Sequence, residues 1–182
     1  MIRTTRFATL FVLAAAILTG CATTQINTAE EKDRLAREAQ ASRQEWNKLD
    51  PTAEGFVKKG YGYAFFPEIG KGGFIFAGGG GHGVVYEQGQ HVGYAELVEG
   101  SIGFTVGGQS YSELIVFENK AAMDRFKQSE MNFGANASAV IAKAGAGAGA
   151  AFHDGVAVFV RPLAGAMLDA SLGGQHIKYI PR

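Results

Sequence analysis

The sequence predicts an α+β fold: an N-terminal helix followed by a glycine-rich, mostly antiparallel sheet that is curled or barrel-like and carries one or two short helices. Three observations predict this class. Apolar residues follow helical spacing before residue 50, and short aromatic and β-branched runs follow from residue 60 onward. Between residues 60 and 108 lie 16 of the 26 glycines, which indicates bends, bulges and close backbone approach within strands.

The first helix is predicted from its cap and its apolar stripe. Thr28 and Glu31 form a capping-box pattern. A narrow apolar stripe follows on one helical face. Its members are Leu35, Ala39, Ser42, Trp46 and Leu49. Asp50 and Pro51 end this helix and begin a second short one over residues 52–59, because proline suits a first helical turn.

The glycine-rich part predicts several short strands. They cover the clusters of aromatic and β-branched residues at 63–66, 73–76, 84–86, 92–98, 102–106 and 114–117. Residues 87–90, with the sequence Glu-Gln-Gly-Gln, predict a hairpin turn. The glycines at 78–81, 107 and 108 are expected to include positions that admit no Cβ atom.

The C-terminal part predicts one more helix and further strands. Asn119 is a plausible N-cap for a helix over residues 119–131, with Ala122, Met123 and Phe126 on one face. A strand is predicted over 136–143, with a glycine-rich exit at 145–149, although the alanine-rich composition also allows a helix there. A further strand is predicted over 155–161. Pro162 and Gly165 are expected to turn the chain toward a hairpin partner at 167–172.

Charge and cysteine content exclude several classes of protein. The chain has 17 basic and 17 acidic residues. Loss of a leader containing Arg3 and Arg6 leaves 15 basic and 17 acidic residues, a charge of −2. Such a domain has no electrostatic footprint for nucleic acid. A single cysteine excludes an internal disulfide and a cysteine-built zinc site.

The N-terminus has the features of an export signal. Arg3 and Arg6 precede a 12-residue apolar run at 7–18, which is too short to span a bilayer. Residues 18–21, Leu-Thr-Gly-Cys, resemble the lipobox of bacterial lipoproteins. The resemblance implies cleavage before Cys21 and its acylation, and Ala22 resembles the default for the outer membrane. The alternative is an ordinary signal peptide with an incidental cysteine.

No motif predicts a cofactor, a metal or catalysis. Residues 78–83 formally fit GxGxxG, but a strand and not a helix follows them. The four histidines show no ligand spacing. Glu113 is expected to be a strand-edge carboxylate bonded to backbone rather than a general base, for which no partner is visible.

Residues 103–117, GFTVGGQSYSELIVF, resemble the signature of the SYLF-domain family. Further blocks at 63–74, 133–138 and 158–172 resemble other parts of the family in the same order, so the resemblance covers most of residues 50–182. Asn136 replaces the usual acid, and residues 162–164, Pro-Leu-Ala, replace a more polar turn. The residues of the motif are Gly107, Gly108, Gln109 and Glu113.

The resemblance implies lipid binding with an unidentified ligand. Eukaryotic members bind phosphoinositides, yeast members bind actin, and members are not known as enzymes. We therefore expect a membrane-anchored bacterial lipoprotein whose domain binds anionic lipid, a phospholipid or a phosphoinositide-like headgroup. The alternative is an envelope lipoprotein that uses the domain to dock a protein.

Candidate cations for a lipid phosphate lie at helix, strand and turn ends. They are Lys58, Lys59, Lys71 and Arg161. The alternative for each is a solvated surface charge. The expected organisation is a signal peptide at 1–20, a lipidated tether with an amphipathic helix at 21–50, and a SYLF-like domain at 51–182.

We predict that Cys21→Ser abolishes acylation and leaves the fold intact, because the thiol is the acyl acceptor. Metabolic labelling with a fatty acid measures the modification, and the melting temperature of the chain from residue 22 provides the control for folding. Equal labelling of the serine variant would contradict the lipoprotein interpretation.

Overall fold

The computed structural model describes residues 26–128, 131–134, 141–143 and 151–182. The helices are α1 (Ala29–Leu49), α2 (Pro51–Lys59) and α3 (Lys120–Gln128). The strands are β1 (Gly62–Glu87), β2 (Gln90–Phe117), β3 (Met131–Gly134), β4 (Ile141–Lys143) and β5 (Val156–Pro181). The predicted α+β class is confirmed. The predicted leader and Cys21 lie outside the described residues.

Helix α1 begins with the predicted capping box. The Thr28 side chain accepts a hydrogen bond from the Glu31 amide, and the Glu31 carboxylate accepts one from the Thr28 amide. Trp46 is buried and donates its indole N–H to the Ser112 hydroxyl at 2.7 Å, which ties α1 to β2. Leu49, the last residue of the predicted apolar stripe, is 61% exposed, so the buried part of the stripe ends one turn earlier, at Trp46.

Asp50 links the first two helices. Its side chain is buried and accepts hydrogen bonds from the amides of Thr52 and Ala53. Pro51 occupies the first turn of α2, as the sequence predicts. Among the described residues, no helix is both long enough and apolar enough to cross a bilayer.

The six short strands predicted before residue 118 merge into two long ones. Strands β1 and β2 pair as an antiparallel hairpin whose turn contains Gln88 and Gly89. Both turn residues have positive φ, at 48° and 79°, as in a type I′ turn. The hairpin predicted at 87–90 is therefore confirmed.

Strand β1 doubles back on itself at residues 73–76. Its two halves lie against each other, which places Tyr63 and Tyr86 in a stack with ring centroids 5.1 Å apart. The Gln88 amide donates to the Tyr61 carbonyl at the far end of the same contact. At the bend, Phe74 pairs with Val106 and Phe76 pairs with Ile102. We call residues 73–76 the bend.

Glycines make the close contact between the two halves of β1 possible. A Cβ atom on Gly81 would lie 2.5 Å from the carbonyl oxygen of Glu68, and one on Gly83 would lie 2.8 Å from that of Phe65. Real Cβ atoms do not approach backbone this closely. The predicted exclusion of Cβ atoms within residues 78–81 is therefore confirmed at Gly81, whereas a Cβ atom on Gly108 would make only ordinary contacts.

Strand β5 runs without interruption and pairs with β2 along its whole length. The turn predicted at Pro162 and Gly165 is therefore wrong, because residues 167–172 pair with β2 and not with 155–161. Pro162 stands opposite Tyr111, where the register shifts by one residue. Proline is tolerated at such an irregularity because a ladder hydrogen bond is already missing there.

The other edge of β5 carries two short strands. Strand β3 pairs with it antiparallel and β4 pairs with it parallel, so the sheet is mostly antiparallel as predicted. The pairings of the described strands do not close the sheet into a barrel. Strand β4 forms the end of the strand predicted at 136–143. The rest of that strand and its glycine-rich exit lie outside the described residues.

The sheet is covered on both faces. One face packs against α1 and α2 through a cluster that includes Leu35, Trp46 and Phe65. The other face packs against α3, whose Ala122, Met123 and Phe126 are buried as predicted. The Asn119 side chain caps α3 by accepting from the Ala122 amide at 3.0 Å. All these elements lie within residues 26–182, so a chain that begins at Ala22 contains the whole described fold.

We predict that Gly81→Ala lowers the free energy of unfolding by about 1–3 kcal/mol, because its methyl group would press on the backbone of Glu68. Gly100→Ala is the matched control, since nothing lies within 4 Å of a Cβ atom there. It should leave stability unchanged or raise it by about 0.4–1 kcal/mol. Urea denaturation measures both. Equal stability of the two variants would contradict the close contact within β1.

Candidate functional site

The four candidate cations do not form one site. Lys58 and Lys59 lie in the last turn of α2, beside the end of the sheet where β1 begins. The Lys58 side chain is 74% exposed, and its ammonium lies 3.9 Å from Glu54. Lys71 lies nine residues into β1, roughly 30 Å from that end for an extended strand.

Lys71 and Arg161 are held in ion pairs. The Lys71 ammonium lies 3.9 Å from Glu99, and only 13% of the lysine side chain is exposed. The Arg161 guanidinium lies 3.8 Å from Glu45 of α1 and is mostly buried. These two side chains contribute to internal charge balance, whereas Lys58 and Lys59 face solvent.

A buried polar cluster contains the acid of the SYLF motif. The Gln175 amide donates to the Glu113 carboxylate at 3.1 Å and lies 3.2 Å from the Tyr111 hydroxyl. Gln175 pairs in the sheet with Glu99, and Glu113 pairs with Phe66 and Val160. The hydrogen bonds of Gln175 therefore join positions on β5 and β2 that are not partners in the strand pairing.

Glu113 is buried, and no cation of the described residues is among the groups that shift its pKa. Its side chain is 1% exposed, and burial raises the pKa of its carboxyl to about 7, with the Gln175 hydrogen bond lowering it in part and Glu99 raising it further. Burial also raises the pKa of Tyr111. The sequence predicts that the Glu113 carboxylate bonds to backbone, whereas its hydrogen bond in the structure comes from the side chain of Gln175.

The glycines of the motif lie near the bend. Gly107 has a φ of 113°, which favours glycine. Gly108 and Gln109 line an open groove with a volume of about 690 Å³. Its lining residues are Gly70, Lys71, Gly72, Gly78, Gly79, Val98, Glu99, Gly108 and Gln109. The groove therefore brings Lys71 together with two residues of the motif.

The bend exposes large apolar side chains. Phe74 is 69% exposed and Phe76 is 67% exposed, and Ile75 between them is also exposed. Val98 and Val106 are exposed on neighbouring β2. Sequence reasoning missed this patch, because Gly-Phe-Ile-Phe resembles any buried strand. The flanking glycine pairs were the available signal for a bend.

The remaining sequence candidates provide no further site. Residues 78–83 continue β1, as the sequence predicts, and no helix opens there. Within the described part of the chain, no three side chains of the metal-binding types come together.

We predict that Glu113→Gln removes a pH dependence of stability. The folded pKa of about 7 lies above the reference value of 4.5. The contribution of Glu113 to stability should therefore be fully present below pH 4.5 and should be lost as the pH rises through 7. The glutamine variant should melt higher than the parent at pH 8. Glu118→Gln, at an exposed position, is the control. Parallel pH profiles for parent and Glu113→Gln would contradict the burial of an uncompensated acid.

Part of the chain that includes the buried polar cluster is similar to known proteins. The model of the family described as "Ysc84: Las17-binding protein actin regulator" matches residues 98–179, a span that includes Glu99, Glu113 and Gln175. A bacterial relative, "Beta cell expansion factor A" of Aeromonas veronii, is 29% identical over 126 residues, which are 68% of this chain. The chain spans about half, 48%, of that relative's length. The resemblance to SYLF domains is therefore supported over residues 98–179, which match the Ysc84 family, the family of SYLF-domain proteins.

Proposed function

We propose that this protein is a bacterial lipoprotein of the cell envelope, anchored through acyl chains on Cys21, whose SYLF domain contacts membrane lipid through the bend. The proposed membrane is the outer membrane, and the proposed role is binding rather than catalysis. Burial of Glu113 supports a binding role rather than catalysis, because a substrate in solvent does not reach its carboxyl group.

The exposed aromatic pair of the bend is the observation that carries the proposal. Phe74 and Phe76 project with Ile75 from the point where β1 turns back. Moving a phenylalanine side chain from water into hydrocarbon yields about 1.5–3 kcal/mol. Two such side chains give useful affinity for a bilayer to a domain that is already held at its surface.

The position of α1 allows the acyl anchor at Cys21 and the bend to reach the same membrane. Residues 22–28 join Cys21 to α1 and span at most about 25 Å when extended. Asn27 and Lys32, at the start of α1, line a cavity together with His82 of β1. His82 lies roughly 20 Å along the strand from Phe76. The tether is therefore long enough for the bend to meet the membrane that holds Cys21.

The anionic-lipid part of the proposal depends on exposed cations. Lys58 and Lys59 lie at the end of the sheet away from the bend, at a distance well beyond the Debye length of about 8 Å at physiological salt. They attract anionic lipid only if that end of the domain approaches the surface. We therefore assign the main contact to apolar insertion and a weaker, salt-sensitive contribution to Lys58 and Lys59.

A protein-docking role is the second candidate function. Lys71 is the candidate cation nearest the bend, and it is paired with Glu99 and mostly buried. An apolar patch without an exposed basic rim also suits an envelope protein as partner. Vesicle binding distinguishes the two functions.

We predict that replacing Phe74 and Phe76 together by serine weakens vesicle binding at least tenfold without lowering the melting temperature, because both rings are exposed. The protein is the chain from Ala22 without acyl groups. Co-sedimentation with phosphatidylcholine vesicles, with and without phosphatidylglycerol, measures binding across a salt series.

Leu49→Ser is the matched control, since Leu49 is a similarly exposed apolar residue on α1. It should bind like the parent. Replacing Lys58 and Lys59 together by glutamate should reduce only the salt-sensitive part of binding to anionic vesicles. Failure of the parent to bind any vesicle at low salt would reject the lipid contact and favour protein docking.

A further inference from the structure

Four ionisable side chains surround a cavity at the start of α1. Three of them lie side by side on β1, β2 and β5, because His82 pairs with Glu96 and Glu96 pairs with Lys178 in the sheet. The fourth, Lys32, belongs to the first turn of α1, and its ammonium lies 5.4 Å from the centre of the Tyr94 ring. The cavity has a volume of about 320 Å³. We call it the α1 cavity.

The cavity lies where α1 stops covering the sheet. Residues two apart along a strand lie on the same face. The row next to His82 on this face packs against α1, and its members are Val84, Tyr94 and Ile180. Ile26 and Asn27, which precede the helix, line the cavity from the other side. The row of His82 therefore faces a space between the sheet and the N-terminal end of α1.

The charges around the α1 cavity are not paired with one another. Opposite charges directly across an antiparallel pair are close enough to attract. Among the described residues, however, neither Glu96 nor Lys178 forms an ion pair, and the ammonium of Lys32 forms none either. Glu96 and Lys32 are half-buried, and removing a charge from water costs free energy unless a partner compensates for it. A ligand in the cavity would provide that partner.

His82 is the uncharged member of the group. Burial lowers the pKa of its imidazole, and the carboxylates of Glu96 and Glu31 oppose this effect only in part, so the ring is neutral at pH 7. Its Nε2 atom is buried and has no hydrogen-bond partner among the described residues. A buried polar atom without a partner is rare in folded proteins. The cavity thus combines two positive groups, one negative group and a ring nitrogen that the fold leaves unsatisfied.

The signs of these charges select the class of ligand. A simple anion would be repelled by Glu96, and a simple cation would meet two like charges. A zwitterion suits all three groups, because its carboxylate can accept hydrogen bonds from the lysines while its ammonium donates to Glu96. The lining also includes apolar side chains, those of Ile26, Ile180 and Pro181. A volume of about 320 Å³ is at the lower end for small-molecule sites, which suits one small molecule with an aliphatic group.

We propose that the α1 cavity binds a free α-amino acid with an aliphatic side chain. Glu96 accepts from its ammonium group, Lys32 and Lys178 donate to its carboxylate, and His82 closes the cavity on the side of β1. This inference is independent of the proposed membrane contact, because the bend takes no part in the cavity. The headgroup of phosphatidylethanolamine carries a similar pair of charges, and the test separates it from an amino acid.

The test is calorimetric titration of the chain from Ala22 with L-leucine. Leucinamide lacks the carboxylate and 4-methylpentanoate lacks the ammonium, so each should bind at least about tenfold more weakly. Glu96→Gln and Lys178→Gln should each weaken L-leucine binding by a similar factor without lowering the melting temperature. Lys178 is exposed, so its variant keeps the test decisive should Glu96→Gln fail to fold. Glu118→Gln and Lys48→Gln, at exposed positions outside the cavity lining, are the matched controls and should bind like the parent.

Nuclear magnetic resonance locates the bound amino acid. The ring signals of His82, assigned with a His82→Gln variant, should shift on addition of L-leucine, whereas those of the exposed His153 should not. The serine variant at Phe74 and Phe76 should keep L-leucine binding, which separates this inference from the proposed function. Absence of L-leucine binding by the parent would overturn the inference, and so would unchanged binding by Glu96→Gln. Tighter binding of O-phosphoethanolamine than of L-leucine would also overturn it and would assign the cavity to a lipid headgroup.

Discussion

Contact between the two halves of β1 is the constraint on which the rest of the structure depends. Where Gly81 and Gly83 meet the opposing strand segment, a single methyl group is too large. This contact lets β1 turn back at residues 73–76, and β2 and β5 follow the same path because they pair with it in order. The exposed aromatic side chains and the open groove both lie at that turn.

The buried polar cluster stabilises the same arrangement. Gln175 bonds Glu113 and lies beside Tyr111, and these residues approach each other only because the sheet curls. A buried carboxylate without a cation costs free energy, so the cluster holds the curl most strongly when Glu113 carries a proton. The acid of the SYLF motif therefore has a structural role that neighbouring strand pairing does not supply.

The sequence predicts local structure here better than long-range structure. The capping box at Thr28, the hairpin at Gln88 and Gly89, and the cap at Asn119 are set by residues within four positions of each other, and all three are confirmed.

Pro162 indicated a turn because its local preference is strong, yet pairing with β2 over the whole of β5 outweighs one missing ladder bond. Spacing places Leu49 in the apolar stripe of α1, but periodicity does not reveal that its side chain is exposed. Motif resemblance selected Glu113, but only the structure reveals that Gln175, far along the chain, is its partner. The exposure of Phe74 depends on the bend, which the flanking glycine pairs signal locally but which is completed only by the contact between the two halves of β1.

The pairing of β2 with β5 leads us to expect that β5 joins the sheet late in folding. The β1–β2 hairpin closes through a two-residue turn, whereas β5 pairs residues as distant in sequence as Gly93 and Pro181. Such non-local pairing is slow because a long loop must be ordered before any contact compensates for it. Until β5 arrives, one edge of β2 presents unpaired amides and carbonyls along 28 residues, which is a template for aggregation. A chain synthesised from its N-terminus keeps that edge open until β5 is complete, so we expect the nascent sheet to need protection during biogenesis.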